Sequence, residues 1–327
     1  MNKQKMTKIP ISLIIDDPAP VVSVYHAHSD TGMTKDGRPL IPHFSNDFLS
    51  TFCDITERHG IKGKFSVVPM PGNQGDIVNG IHGVDDWQVE EWLCMVKERL
   101  MQSFTVGPEM LTHNNVVDLK TGKELLLKED KWAAMQDRTT LTPYIAHALS
   151  LLKEVGIHAF GVTSPWYFGI EVEDEYTAAI SQAVYEVSGK TKAWYFLRER
   201  FDVPNARPWI AYEQEGRTLV SIPATVREHI WQTIDTTETS EAYICNVADE
   251  LITEDGKEGE IIRVLESGGY PILLTHWQSL VSNGLGTGLR VLDEVGKRIN
   301  RNLADRVEWM SFEEILQMVM EDKEAYR

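Results

Sequence analysis

The sequence predicts an α/β protein with a largely parallel sheet, arranged as a single barrel-like domain over residues 1–327. Three observations predict it. Short apolar runs alternate with helix-like segments, the pattern of βαβ units. The first run, Ile11-Ser12-Leu13-Ile14-Ile15, is Ile-rich, ends in Asp16-Asp17 and is closed by Pro18 and Pro20, so it reads as a buried strand. A chain of 327 residues with 42% apolar content can also supply a sizeable core. A doubly wound open sheet is the second architecture the pattern allows.

The elements follow in order. A long loop with Gly, Pro and His runs from Pro18 to Pro42. Ser45–His59 carries Phe48, Leu49, Phe52 and Ile55 on one face and stops at Gly60, which predicts a helix. Lys64–Val68 reads as a strand, and Pro69–Gly83 as a loop of the kind that carries function. Trp87–Met101 is a helix, with Asp85-Asp86 before it as caps, and Ser103–Val106 is a strand. Residues 114–135 form a polar, turn-rich excursion or hairpin. Thr142–Val155 is a helix with Pro143 in its first turn and Gly156 at its end. Strand His158–Val162, helix Asp174–Val187, strands Ala193–Leu197 and Arg217–Ile222, and helix Ser240–Ile252 come next. Strand Pro271–Thr275, helix Thr287–Ile299, strand Val307–Met310 and helix Phe312–Met320 close the series.

Composition narrows the function classes. Lys and Arg total 32 against 49 Asp and Glu, a net charge of −17 that repels phosphate backbones and argues against a nucleic-acid partner. Cys53, Cys94 and Cys245 lie far apart, which predicts neither a disulfide framework nor a Cys-rich zinc site. The start, Met1 to Pro10, is polar, and no apolar run is long enough to span a membrane. With Met1 as the native start, a cytoplasmic location is expected.

Candidate chemistry sits at strand ends. Consecutive residues there point to opposite sides, so one of Asp16 and Asp17 can hold a metal or partner while the other faces a substrate. The carboxyl ends of parallel strands are where α/β enzymes build their sites. His113, beyond the Ser103–Val106 strand, reads either as a metal ligand or as a hydrogen-bonded loop histidine. His276 closes an apolar strand and suits a general acid or base. His26 and His28 would share one side of an extended segment, as metal ligands or as loop surface. Trp166, Tyr167 and Trp277 could line a sugar pocket or pack as ordinary core and loop residues, and Glu109 is a further polar candidate. The Glu171–Glu175 cluster reads as a solvated helix start. Gly284-Leu285-Gly286-Thr287-Gly288 follows no strand directly and lacks a dinucleotide fingerprint.

Taken together, Leu13-Ile14-Ile15-Asp16-Asp17, Gly60–Val68, Thr112-His113, Leu151–Ile157 with Ser164-Pro165-Trp166, Leu273-Leu274-Thr275-His276 and Val307–Ile315 resemble the motifs of the polysaccharide deacetylase family, in the wider glycoside hydrolase/deacetylase superfamily. The resemblance spans most of the chain. It implies an irregular (β/α) barrel of about seven parallel strands, with Asp16 as catalytic base, Asp17 and His113 as metal ligands and His276 as general acid. Two departures stand out. The family's second metal histidine falls at Val117, and its pocket-wall arginine has no counterpart before Pro165. A third ligand would then come from His26, His28 or His276.

The resemblance implies a metal-dependent hydrolase, zinc by preference, that removes an acyl group from a carbohydrate or related amide. Two alternatives stay open. One is a glycoside hydrolase using Asp16 or Asp17 with Glu109 or with an acid of Glu171–Glu175. The other is a barrel that binds carbohydrate without catalysis.

Overall fold

The computed structural model describes residues 8–327; the polar start read above, residues 1–7, lies outside them. The strands are β1 (Ile9–Asp16), β2 (Gly63–Val67), β3 (Gly75–Asp76), β4 (Gly80–Ile81), β5 (Phe104–Pro108), β6 (Asn115–Asp118), β7 (Lys123–Lys128), β8 (Gly161–Thr163), β9 (Lys192–Phe196), β10 (Trp209–Gln214), β11 (Arg217–Ser221), β12 (Ile272–His276) and β13 (Val307–Trp309). Five of them form a parallel sheet in the order β12-β1-β2-β5, with β13 also on β1.

β1 is the hub because its apolar run buries both faces. Alternate residues serve opposite edges: Ile9 and Leu13 donate to Arg306 (2.9 Å) and Lys62 (3.1 Å), while Ser12 donates to Pro271 (3.1 Å). So β13 and β2 follow one another along one edge and β12 takes the other. This register sets Asp16 opposite His276.

A second sheet has the order β10-β11-β9-β8, parallel except for β10. One isolated parallel bridge, Glu109↔Thr163, connects the sheets at their β5 and β8 edges, and a second, Val226↔Leu273, ties the segment after β11 to β12. One hydrophobic cluster runs through both, including Ile14, Phe65, Trp92, Trp194, Val220 and Leu274.

The helices largely follow their end signals. Asn46–His59 ends at Gly60 with φ 63°, and Asp86–Glu98 opens on a capping box between Asp85 and Gln88. The helix expected from Thr142 starts at Arg138, because the Asp137 side chain accepts the Thr140 N–H; Pro143 therefore lies inside it rather than in its first turn. The strand expected at His158–Val162 pairs only through Gly161–Thr163. There Gly161 lets the Trp194 ring lie against the backbone, 2.3 Å from where a Cβ would stand. β10 went unread although Glu215-Gly216, at φ 54° and 73°, makes a two-residue hairpin turn into β11. The excursion is a real hairpin of β6 and β7. Among the described residues no helix is long and apolar enough to cross a membrane, and all three cysteines are free.

Candidate active site at the carboxyl ends of the parallel strands

β1 delivers Asp16 inward and then turns sharply, with Asp17 in the left-handed region at φ 69°, a conformation Asp tolerates. Both carboxylates are buried. The Asp16 carboxylate pairs with Lys64, a lysine with no exposed side chain in the middle of β2. The same ammonium donates to Ser66 Oγ at 2.7 Å and Thr163 Oγ1 at 2.8 Å, so its three N–H groups are all used. Burial raises the Asp16 carboxyl and Lys64 pulls it back, leaving it at about 6.

Asp17 faces the other way. Its Oδ1 lies 2.9 Å from His113 Nε2, Gln278 donates to Oδ2, and its backbone N–H donates to Glu109 Oε2 at 2.6 Å. Burial opposes its charge, but His113 and Gln278 together hold it well below the usual carboxylate range. Glu109 Oε1 also approaches His113 Nε2, at 3.4 Å.

His113 is carried by a loop in an unusual conformation, φ 26° at Met110 and 49° at His113. That loop is clamped by Glu129, a fully buried carboxylate at the root of the β6–β7 hairpin. Glu129 accepts the N–H groups of Leu111 (3.3 Å), Thr112 (3.0 Å) and His113 (2.8 Å), and the Tyr144 hydroxyl.

Across the cavity His276 ends β12. Its backbone N–H donates to Glu228 Oε1 at 2.8 Å and its Nδ1 bonds Glu228 Oε2. Burial disfavours the imidazolium, yet Glu228, with Asp17 and Asp16 beyond, pushes His276 up to about 10.

These groups meet at a cavity of about 280 Å³. An aromatic belt runs round it: Trp231 is 5.2 Å from His276 and 5.3 Å from Tyr25, which is 5.7 Å from His28. His28 stacks on His113 at 5.0 Å, and Trp166 packs edge-on against both, at 4.8 and 4.3 Å. Trp166 and Tyr167 both have left-handed backbones, at φ 47° and 63°, so strain gathers at this wall.

The structure thus brings Asp16, Asp17, Glu109, His113, His28, Trp166, Tyr167 and His276 together around one space. Two expected residues are elsewhere. His26 and His28 lie on a short helix, Val24–His28, not on an extended segment. Two residues apart on a helix point to nearly opposite sides, so His28 reaches the cavity and His26 does not. Trp277 turns into the core, packing on Phe48, Phe52 and Phe65 at 4.8–5.5 Å, because the residue after His276 starts a helix and faces inward. Of the Glu171–Glu175 cluster, Glu173 to Glu175 lie in the first turn of helix Glu173–Ser188, as a solvated helix start does.

Sequence reading missed Lys64, Glu129, Glu228 and Gln278. Lys64 had a signal: a lysine inside a buried strand demands an internal anion. Glu228 and Glu129 had none, since each stands in an irregular or polar stretch.

Among the described residues, one group offers metal-ligating atoms close together: Asp17, Glu109 and His113, all buried, with donor atoms within 4.8 Å of one another. Asp17 Oδ1 and His113 Nδ1 are buried without a hydrogen-bond partner. The 2.9 Å Asp17–His113 contact therefore leaves Oδ1 free of any aligned N–H, as a set of donors converging on a cation would. Two carboxylate oxygens and an imidazole suit a divalent ion such as zinc or manganese. Glu109, four residues before His113, is the third member of this group, and His26, His28 and His276 are not in it.

No protein-family model matches the sequence, and no curated protein matches it. Among solved structures, a "putative polysaccharide deacetylase" from Mycobacterium smegmatis is similar at 15% identity and a TM-score of 0.46, over 84% of this chain and 78% of that one. A 4-alpha-glucanotransferase from Thermococcus litoralis is similar at 12% identity and a TM-score of 0.46, over 95% of this chain; the chain spans 40% of that protein.

Proposed function

We propose that the cavity hydrolyses an acyl amide on a carbohydrate, with a divalent ion, zinc by preference, held by Asp17, Glu109 and His113. The observation that carries this reading is the register of β1 and β12. It sets two proton-transfer groups, Asp16 and His276, opposite one another beside that ligand set and in the same cavity. The Glu109↔Thr163 bridge between the sheets, with Val226↔Leu273 tying the segment after β11 to β12, supports an irregular (β/α) barrel of about seven strands in a single domain, with this site at its carboxyl-terminal mouth.

When bound, the ion would supply Lewis acidity to the acyl oxygen and to water. Asp16 has Oδ1 committed to Lys64 and Ser66, which leaves Oδ2 to take the proton of the attacking water. His276 has Nδ1 committed to Glu228, which leaves Nε2 to protonate the departing amine nitrogen. The C–N bond breaks, the acyl group leaves as carboxylate and the amine is freed. Trp166, Tyr167, Trp231 and Tyr25 offer the ring faces that sugars stack against.

The test is product analysis on a panel of N-acetylated amino-sugar oligomers. Acetate release, reduced about 10²–10⁴-fold in Asp16→Asn and His276→Gln, is the expected result. New reducing ends without acetate would replace this reading with glycoside hydrolysis.

A further inference from the structure

Each carboxylate around the cavity has a partner except one. Asp16 is held by Lys64 and Glu228 by His276, while Asp17 and Glu109 belong with His113 to the candidate ligand set. Glu199 lines the cavity beyond the end of β9 and makes no ion pair among the described residues. Its neighbours are engaged elsewhere: Arg198 pairs with Glu173, and the Arg200 guanidinium lies 5.5 Å from the Trp209 ring centre. Glu199 is exposed, so its charge stands at the entrance and not on the floor.

The entrance also carries aromatic faces. Tyr167 is 44% exposed. Glu199 lines the same cavity, and burial and then the Glu199 charge raise the Tyr167 hydroxyl above its ordinary value. Trp231 and Tyr25 meet edge-to-face at 5.3 Å across the same lining. An unpaired carboxylate in a lining that also carries aromatic rings is the chemistry that recognises an ammonium group. Volume decides where that group sits. At about 280 Å³ the cavity is smaller than the roughly 300–1,000 Å³ of drug-sized pockets, so one acylated ring fills it and the next ring lies at the entrance.

Building on the amide-hydrolase reading, we propose that the substrate is a partly deacylated amino-sugar oligomer, whose free ammonium on the ring next to the acylated one is read by Glu199, Tyr167 and Trp231. Glu199 is then a specificity residue. It lets the site favour chains that already carry a free amine over fully acylated ones.

The test is calorimetric binding to the zinc-loaded full-length protein carrying His276→Gln to slow turnover, with Glu199 wild-type or changed, below neutral pH where the sugar amine is charged. The probes are the two mono-N-acetyl isomers of the glucosamine disaccharide and its N,N′-diacetyl form. One mono-acetyl isomer is expected to bind about 3–10-fold tighter than the diacetyl form, with a preference that shrinks as salt rises. Glu199→Gln should erase that preference and leave the diacetyl affinity unchanged. Equal affinities with Glu199 intact, or a preference that survives Glu199→Gln, would overturn the proposal while leaving the amide-hydrolase reading standing. Absence of binding by all three disaccharides would overturn it together with that reading.

Discussion

Lys64 and Asp16 form an ion pair in which the lysine side chain has no solvent exposure and the aspartate almost none. The pair ties β2 to the end of β1, and Thr163 extends the tie to β8 in the second sheet. It also provides the cation that the sequence lacks before Pro165. The tether of the candidate base comes from the second strand instead of the pocket wall.

Breaking that pair should cost far more than replacing it. Lys64→Met leaves a buried, unpaired carboxylate, and we expect a loss of about 3–5 kcal/mol in denaturant unfolding. The double variant Lys64→Met/Asp16→Leu should regain most of that stability and have no hydrolytic activity. A single variant as stable as the wild type would show that the pair is not formed.

The His276–Glu228 pair predicts a pH dependence whose sign is fixed. The folded value of His276 is raised from 6.5 to about 10, so it is the protonated form that folding favours. Its contribution to stability is complete below about pH 6.5 and is lost as pH rises through about 10. Glu228→Gln removes the largest raising cause. The variant should lose its stability deficit relative to wild type toward pH 10, and the alkaline limb of activity should move to lower pH. NMR titration of the His276 ring checks the shift directly. An unchanged ring titration in Glu228→Gln would contradict the assignment.

Glu129 does not line the cavity, yet it holds three consecutive N–H groups, Leu111 to His113, of the loop that presents the His113 ring. Glu129→Gln cannot accept from all of them and the Tyr144 hydroxyl. We expect about 1–3 kcal/mol lost for each donor left unsatisfied and a roughly 10–100-fold weaker metal affinity by chelator competition. Tyr144→Phe removes only the hydroxyl contact and should keep the metal affinity. A folded Glu129→Gln protein with unchanged affinity would show that the clamp does not position His113.

The strands of the parallel sheet and both aspartates were legible because local patterns encode them: apolar runs ended by Pro or Gly, and charges where a run stops. Asp16 and His276 close β1 and β12, so their place at the carboxyl ends of the parallel strands follows from strand position alone. Glu109 was visible as a strand-end carboxylate, but not as the third member of the Asp17–His113 group. That membership depends on the left-handed turn at Met110 and His113, which no local pattern announces. His26 was misjudged because five residues of helix sit inside a Gly- and Pro-rich loop, and a helix separates neighbours that a strand would align. Trp277 was misjudged for a similar reason: the helix that begins there reverses its direction relative to His276. Glu228 lies 48 residues from His276 in sequence and is brought to it by the Val226↔Leu273 bridge beside β12.

The claim on which the rest depends is that Asp17, Glu109 and His113 form one metal site. Metal content of tag-free protein, measured by plasma mass spectrometry after dialysis against zinc, tests it most directly. About one equivalent is expected in the wild type and in His26→Ala, and almost none in Asp17→Ala, Glu109→Ala and His113→Ala. A wild type without metal, or full occupancy in Glu109→Ala, would contradict it.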